Sequence, residues 1–229
     1  MVYEHEYEID DWRKEESWRM FRIMGELVEG FHQLSGIEPA VTIYGSARVG
    51  PGDRVYVQTQ EIARRLGETG FSIVTGGGPG VMEAANRGAS EAGATSVGLN
   101  IRLPQEQACN VFATRSMTFD HFFARKVMLV KYATAFIIMP GGLGTLDELT
   151  EILTLMQTHK IKPFPVVLFD ARYWKGLMDW LHSDSLPRGY ISQEDFALLR
   201  ICSKPERAVS IVWNWYKKHR VVGKEALKA

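Results

Sequence analysis

Residues 134–139 read TAFIIM, residues 140–145 read PGGLGT, and residues 145–157 continue as TLDELTEILTLMQ. The first run is strand-sized, apolar and ended by turn residues, and the last has helical spacing, so the stretch reads as strand, glycine turn, helix. The same rhythm occurs twice upstream. Residues 71–75 (FSIVT) run into Gly76, Gly77 and Gly78 ahead of a segment at 81–92 rich in alanine and glutamate. Residues 40–44 (AVTIY) end at Gly45, ahead of helical spacing over 55–66. Residues 95–101 and 165–169 (PVVLF) add strand-like runs, 110–117 offers another candidate, and 119–133 reads as a helix. Helical spacing near 173–182, 193–200 and 205–218 closes the chain. Strands with almost no polar alternation are covered on both faces. Alternation of such strands with amphipathic helices therefore predicts an α/β fold: a Rossmann-like, doubly wound parallel sheet with helices on both faces.

Around this core, residues 1–36 form an expected helical extension, because Trp12, Trp18, Phe21, Met24, Leu27, Val28 and Phe31 fall near a helical period. The arm is expected either to pack on its own domain or to cover a neighbouring subunit, the second being favoured. Residues 37–220 are read as one nucleotide-binding domain and 221–229 as a tail. Of 229 residues, 27 are Lys or Arg and 27 are Asp or Glu, so no global field draws the chain to nucleic acid or an anionic membrane. No signal-like or membrane-spanning apolar stretch is present, and the expectation is a cytoplasmic protein. Cys109 and Cys202 stand far apart without CxxC spacing, and the histidines form no HxxxH or HExxH pair, so neither a disulfide framework nor a metal site is expected. The aromatic and basic residues from Trp213 to Arg220 read as the solvated end of a terminal helix, and single-strand DNA binding is not expected.

In doubly wound sheets, ligands sit beyond the carboxyl ends of the strands, where loops lead into helix N-termini. The three glycine turns lie there: Gly45-Ser46, Gly76-Gly77-Gly78-Pro79-Gly80 and Pro140-Gly141-Gly142-Leu143-Gly144-Thr145. Glycine lets backbone N–H groups approach a ligand, and the next helix adds its unpaired N–H groups, a combination suited to phosphate. No GxxxxGK[ST] is present, which disfavours a P-loop triphosphatase. Asp147 stands where a dinucleotide fingerprint has its third glycine, and no acidic residue ends the second strand, so NAD is not expected. No cofactor is expected at all.

The string from Pro140 through Thr145, Leu146 and Asp147 to Glu148, with Arg125-Lys126 on the preceding helix and Gly76 to Gly80, resembles the LOG (Lonely Guy) family of phosphoribohydrolases. The likeness covers about residues 40–180. It implies Rossmann-like subunits, a homo-oligomer of dimeric or higher order, and cleavage of the N-glycosidic bond of a nucleoside 5′-monophosphate to free base and ribose 5-phosphate. The substrate class implied is a cytokinin riboside monophosphate or AMP. By the resemblance, Glu148 and Arg125 are the catalytic pair. Read from the residues alone, Glu148 could be an ordinary first-turn glutamate, and Arg125 with Lys126 a snorkelling pair on the helix surface. Lys126 is a candidate point charge for phosphate, and Asp147 lies in the same motif. Glu106 falls near a family substrate contact, Glu83 sits beside a glycine turn, and Thr154 lies six residues beyond Glu148. For these three, solvated or structural roles are the first expectation and substrate contact the alternative. His121, between acidic and aromatic neighbours, reads as a satisfied core or interface histidine.

A "lysine decarboxylase" reading, attached to many such chains, would need a Schiff-base lysine with partners around a pyridoxal ring, and no such set is visible. The alternative from another class is a non-catalytic carrier of a nucleotide-like cofactor on the same fold. A carboxylate close to a phosphate grip argues for the enzyme.

Overall fold

The computed structural model describes residues 16–103 and 109–226. Its seven strands among those residues are β1 (Ala40–Tyr44), β2 (Ser72–Thr75), β3 (Ser96–Ile101), β4 (Arg115–Phe119), β5 (Ala133–Ile138), β6 (Val166–Phe169) and β7 (Leu199–Cys202). All neighbours pair in parallel, in the order β4-β3-β2-β1-β5-β6-β7. The chain winds outward from β1 through β4, then crosses back to β5, and this reversal places a switch point between β1 and β5. The doubly wound parallel sheet read from the sequence is the observed architecture.

The helices are α1 (Glu16–Gln33), α2 (Arg54–Glu68), α3 (Val81–Glu91), α4 (Phe122–Lys131), α5 (Leu143–Gln157), α6 (Ala171–Trp180), α7 (Gln193–Phe196) and α8 (Pro205–Ala226). Two apolar cores separate them into layers. On one face, Leu129, Leu149, Ile152 and Trp174 from α4, α5 and α6 pack over Phe136 and Leu168. On the other, Ile62, Ala85 and Val212 from α2, α3 and α8 pack over Val41, Ile73 and Val167. No helix among the described residues is long and apolar enough to cross a membrane.

Three local readings need correction. The helical spacing over 193–200 resolves into α7, which Ser192 and Asp195 close with a reciprocal capping box, followed by β7 on the sheet edge. Its pattern, with Leu199 and Cys202 buried and Arg200 and Ile201 outward, is too short to distinguish from a helical turn by periodicity. The candidate strand at 110–117 begins only at Arg115, because Asn110 bonds the second glycine turn and residues 110–113 close a turn before Thr114 joins β3. The helix near 173–182 runs into a π-helical turn at Leu181–Ser185.

The helical arm packs partly on its own domain. The Glu26 carboxylate accepts the main-chain N–H groups of Asp120 (3.0 Å) and His121 (3.4 Å) and lies 3.0 Å from His121 Nδ1, so α1 caps α4 from outside. Gly30 sits against the Met128 side chain, which would have to shift to admit a Cβ. Trp12 lies outside the described residues. Trp18, Phe21, Met24 and Val28 stay exposed, as do Phe122, Phe123 and Val127 on α4.

Candidate active site

The three glycine turns meet at the β1/β5 switch point, and Ser46 ties them together. Its N–H donates to the Pro140 carbonyl at 3.0 Å, and its own carbonyl accepts from Val81 N–H, the first residue of α3, at 2.9 Å. Gly80 (φ +71°) lets α3 start against this strut; an added Cβ would lie 2.4 Å from the Ser46 carbonyl oxygen. Gly45 packs tightly between Val81 and Met139. The Ser46 amide is therefore committed to the frame rather than open to a ligand, although its hydroxyl still has a proton to donate.

The second turn is also structural. Gly76, Gly77 and Gly78 are buried. Asn110 Nδ2 donates to the carbonyls of Gly77 and Gly78 (3.1 Å each) and to Asn86 Oδ1 (2.9 Å). Thr75 Oγ1 donates to Asn86 Oδ1 at 2.6 Å and accepts from Gly77 N–H at 3.0 Å. The Asn100 amide, oriented by its surroundings, donates to the carbonyls of Gly76 (3.0 Å) and Gly77 (3.2 Å) and accepts from Cys109 N–H (3.0 Å). A fully bonded asparagine network of this kind rigidifies a turn. None of these asparagines carried a motif, and this part of the site was missed in the sequence.

The third turn is the open one. Gly142 and Gly144 have nothing within 4 Å of where a Cβ would stand. At the start of α5 the Thr145 and Leu146 N–H groups bond the Gly142 carbonyl, while the earlier amides have no acceptor within the helix. Tyr173 Oη donates to the Gly141 carbonyl at 2.6 Å and steadies the turn from α6. Pro140 and Thr145 are buried beneath it. Of the three turns expected to hold phosphate, this one leaves N–H groups and a positive helix end exposed.

Arg125 and Glu148 converge beside it. Glu148 lies in the second turn of α5, on the face toward the sheet, and is only 8% exposed, so it is not a first-turn surface glutamate. Its Oε2 atom is buried and has no hydrogen-bond partner among the described residues. Burial pushes its pKa up to about 7, against the pull of Lys126 and Arg125. Arg125 is anchored by carbonyls: Nε donates to Leu99 O at 2.7 Å, and Nη2 reaches Gly76 O at 3.5 Å. A Cβ on residue 76 would fall 2.1 Å from that Nη2, so glycine there makes room for the guanidinium. Burial lowers the pKa of Arg125, and Glu148 opposes the shift, which makes each group the other's counter-charge.

Lys126 pairs with Asp147 (2.7 Å) and contacts Glu151 Oε2 at 3.4 Å, without hydrogen-bond alignment to the latter. Burial pulls its pKa down, but Asp147, Glu148 and Glu151 prevail and hold it above the usual lysine value. Tyr44, unremarked in the sequence, ends β1 on the same face, with its ring beside Phe136 and its hydroxyl buried and unpartnered among the described residues. Burial and the nearby Glu148 both raise its pKa well above the ordinary phenol value.

Two sequence candidates lie elsewhere. Glu83 accepts from Tyr56 Oη at 2.8 Å, in the layer formed by α2 and α3 on the opposite face of the sheet from Glu148. Thr154 bonds the Thr150 carbonyl at 2.8 Å and lines an apolar cleft with Leu153, Leu181 and Phe196, beyond the turn that holds Glu148. Glu106 falls outside the described residues.

A doubly wound parallel sheet with an exposed helix N-terminus, a buried carboxylate and a carbonyl-anchored arginine at its switch point defines a Rossmann-like protein. The family model described as "Possible lysine decarboxylase" matches residues 82–212, more than half of the chain. The chain belongs to this family, the LOG family of the sequence resemblance. It is 24% identical over 179 residues to the cytokinin riboside 5′-monophosphate phosphoribohydrolase of Rhodococcoides fascians, covering 76% of this chain and 88% of that one. It is 31% identical over 137 residues to the protein of the same description from Mycobacterium tuberculosis, covering 58% of this chain and 71% of that one. Among solved structures, the Moco carrier protein from Chlamydomonas reinhardtii superposes with a TM-score of 0.57 at 21% identity, over 79% of this chain and 98% of that one. At that identity the likeness is one of fold.

The raised pKa of Glu148 gives a pH test. The native chain holds this proton more tightly than the unfolded chain, from the ordinary carboxyl value of 4.5 up to about 7. The stabilising contribution is complete below the lower value and is lost as pH rises through the upper one. Relative to wild type, Glu148→Gln should therefore gain stability between pH 4.5 and pH 8, on the order of 2–3 kcal/mol in urea unfolding. A difference that does not change with pH would contradict the assignment.

Proposed function

We propose that the chain hydrolyses the N-glycosidic bond of a purine nucleoside 5′-monophosphate, either a cytokinin riboside monophosphate or AMP, releasing base and ribose 5-phosphate. The observation that carries this reading is Glu148: a buried carboxylate with an unpartnered oxygen, in the helix whose open N-terminus suits a phosphate. The second turn of that helix lies about 5 Å along its axis from the first, a span that suits a ribose between its 5′-phosphate and its anomeric carbon.

The chemistry follows from these positions. As the bond from C1′ to the base nitrogen lengthens, positive charge grows on the sugar, and an ionised Glu148 close by stabilises it. A water oxygen adds to C1′, the bonding pair leaves with the base, and the water's surplus proton passes to Glu148 and from it to the departing base nitrogen; a pKa near 7 suits a group that takes up and releases a proton near neutrality. Arg125, fixed by the carbonyls of Leu99 and Gly76, keeps the carboxyl partly ionised despite its burial. Lys126, held by Asp147, maintains positive charge at the edge of the site.

A carrier with this fold needs an anion grip but has no use for a carboxylate near neutrality beside the sugar. A decarboxylase acting through a Schiff base needs an amine that gives up its proton, whereas Lys126 is held protonated.

The test is to incubate the protein with AMP, other monophosphates and isopentenyladenosine monophosphate and to resolve the released base by chromatography. Wild type should release base, and Glu148→Gln should lower kcat by at least about 100-fold while still binding nucleotide. Comparable turnover by the variant would remove Glu148 from the mechanism. The homo-oligomer is proposed on the exposed apolar stripe of α1 and α4, which a second copy would cover. Light scattering should read at least twice the mass of one chain, and the Phe21→Glu, Phe123→Glu double variant should move it toward one; a wild-type monomer would contradict the proposal.

A further inference from the structure

Three buried side-chain atoms lack a hydrogen-bond partner among the described residues: the Tyr44 hydroxyl, Glu148 Oε2 and Glu151 Oε2. Glu151 Oε2 lies 3.4 Å from the Lys126 ammonium, which leaves the Tyr44 hydroxyl and Glu148 Oε2 as the two without a counter-group in contact. Both lie on one face of the sheet, near enough for the charge of Glu148 to act on the phenol. Tyr44 is the last residue of β1, 6% exposed, on the sheet face covered by α4 and α5, the helices that carry Arg125 and Glu148. Its ring is held 6.5 Å from that of Phe136, nearly parallel to it, so the phenol has a defined direction. The charges of Glu148, Arg125 and Glu151 all bear on it. A phenylalanine would fill the same volume without leaving a buried hydroxyl unbonded, and retaining the hydroxyl therefore points to a partner that arrives with the ligand.

The chemistry of the two orphans identifies that partner. The phenol has a proton to give, and the carboxylate oxygen can only accept while ionised. They are not bonded to each other. A ligand group that satisfies both must accept from Tyr44 and donate to Glu148, which is what an alcohol hydroxyl does and what a phosphate or an ether oxygen does not. On the substrate class proposed above, on which this inference rests, the hydroxyl next to the reacting C1′ is the ribose 2′-hydroxyl. We infer that Tyr44 and Glu148 together bracket the 2′-hydroxyl of the sugar, making Tyr44 the residue that selects ribose over 2′-deoxyribose.

The test reads binding and turnover separately. Calorimetry with ribose 5-phosphate and 2-deoxyribose 5-phosphate should give wild type a preference of about tenfold for ribose. Tyr44→Phe should reduce that preference to within about twofold by losing affinity for ribose 5-phosphate alone, with thermal unfolding no lower than wild type. Equal binding of the two sugars by wild type, a measurement that needs no variant, would overturn the inference. So would a Tyr44→Phe variant that keeps the preference. Turnover of AMP against 2′-deoxy-AMP should follow the same pattern in kcat/KM. A Tyr44-dependent ribose preference in binding, without base release from any monophosphate, would leave this inference standing and remove the hydrolytic reading.

Discussion

Placing the Glu148 carboxyl out of water, within reach of two cations, is the constraint around which the site is built. A carboxylate buried without compensation would simply stay protonated. Here burial alone would drive its pKa further up, and Arg125 and Lys126 bring it back toward neutrality. The arginine in turn needs space and acceptors. Gly76 supplies the space, and the carbonyls of Leu99 and Gly76 supply acceptors that do not neutralise its charge. Removing any one of these leaves a charge in a low-dielectric place without its counterweight.

The glycine turns divide the work. The first acts as a strut through the Ser46 backbone, and the second as a rigid wall that Asn86, Asn100 and Asn110 hold in shape. The third stands open, with nothing near Gly142 or Gly144. The first two turns determine where Arg125 and α5 stand relative to that open helix end. The external cap that Glu26 gives to α4 extends the same logic to the N-terminal arm, because α4 carries both cations.

Much of this was legible in the sequence because the signals were local. The apolar strands, the glycine turns that follow them and the helix spacing of 145–157 report backbone geometry directly, and the pairing of Arg125 with Glu148 came with a long motif. What was not legible depends on which layer a side chain enters. Glu83 and Glu148 both follow glycine turns by a few residues, yet one turns to Tyr56 between α2 and α3 and the other to the sheet beneath α5. Thr154 lies on a different face of α5 from Glu148, as six residues at about 100° each require, roughly 120° apart around the axis. Tyr44 reads as one more apolar residue of a buried strand, and only its unbonded hydroxyl marks it out. The asparagine network joins α3, β3 and the loop after it, and such pairings leave no periodic trace.

The most direct measurement is a crystal structure of Glu148→Gln with AMP bound. The account predicts phosphate oxygens within hydrogen-bond distance of the main-chain amides at 142–144 and the anomeric carbon beside residue 148, with the Arg125 guanidinium in place. A phosphate held elsewhere, with the sugar turned away from residue 148, would contradict it.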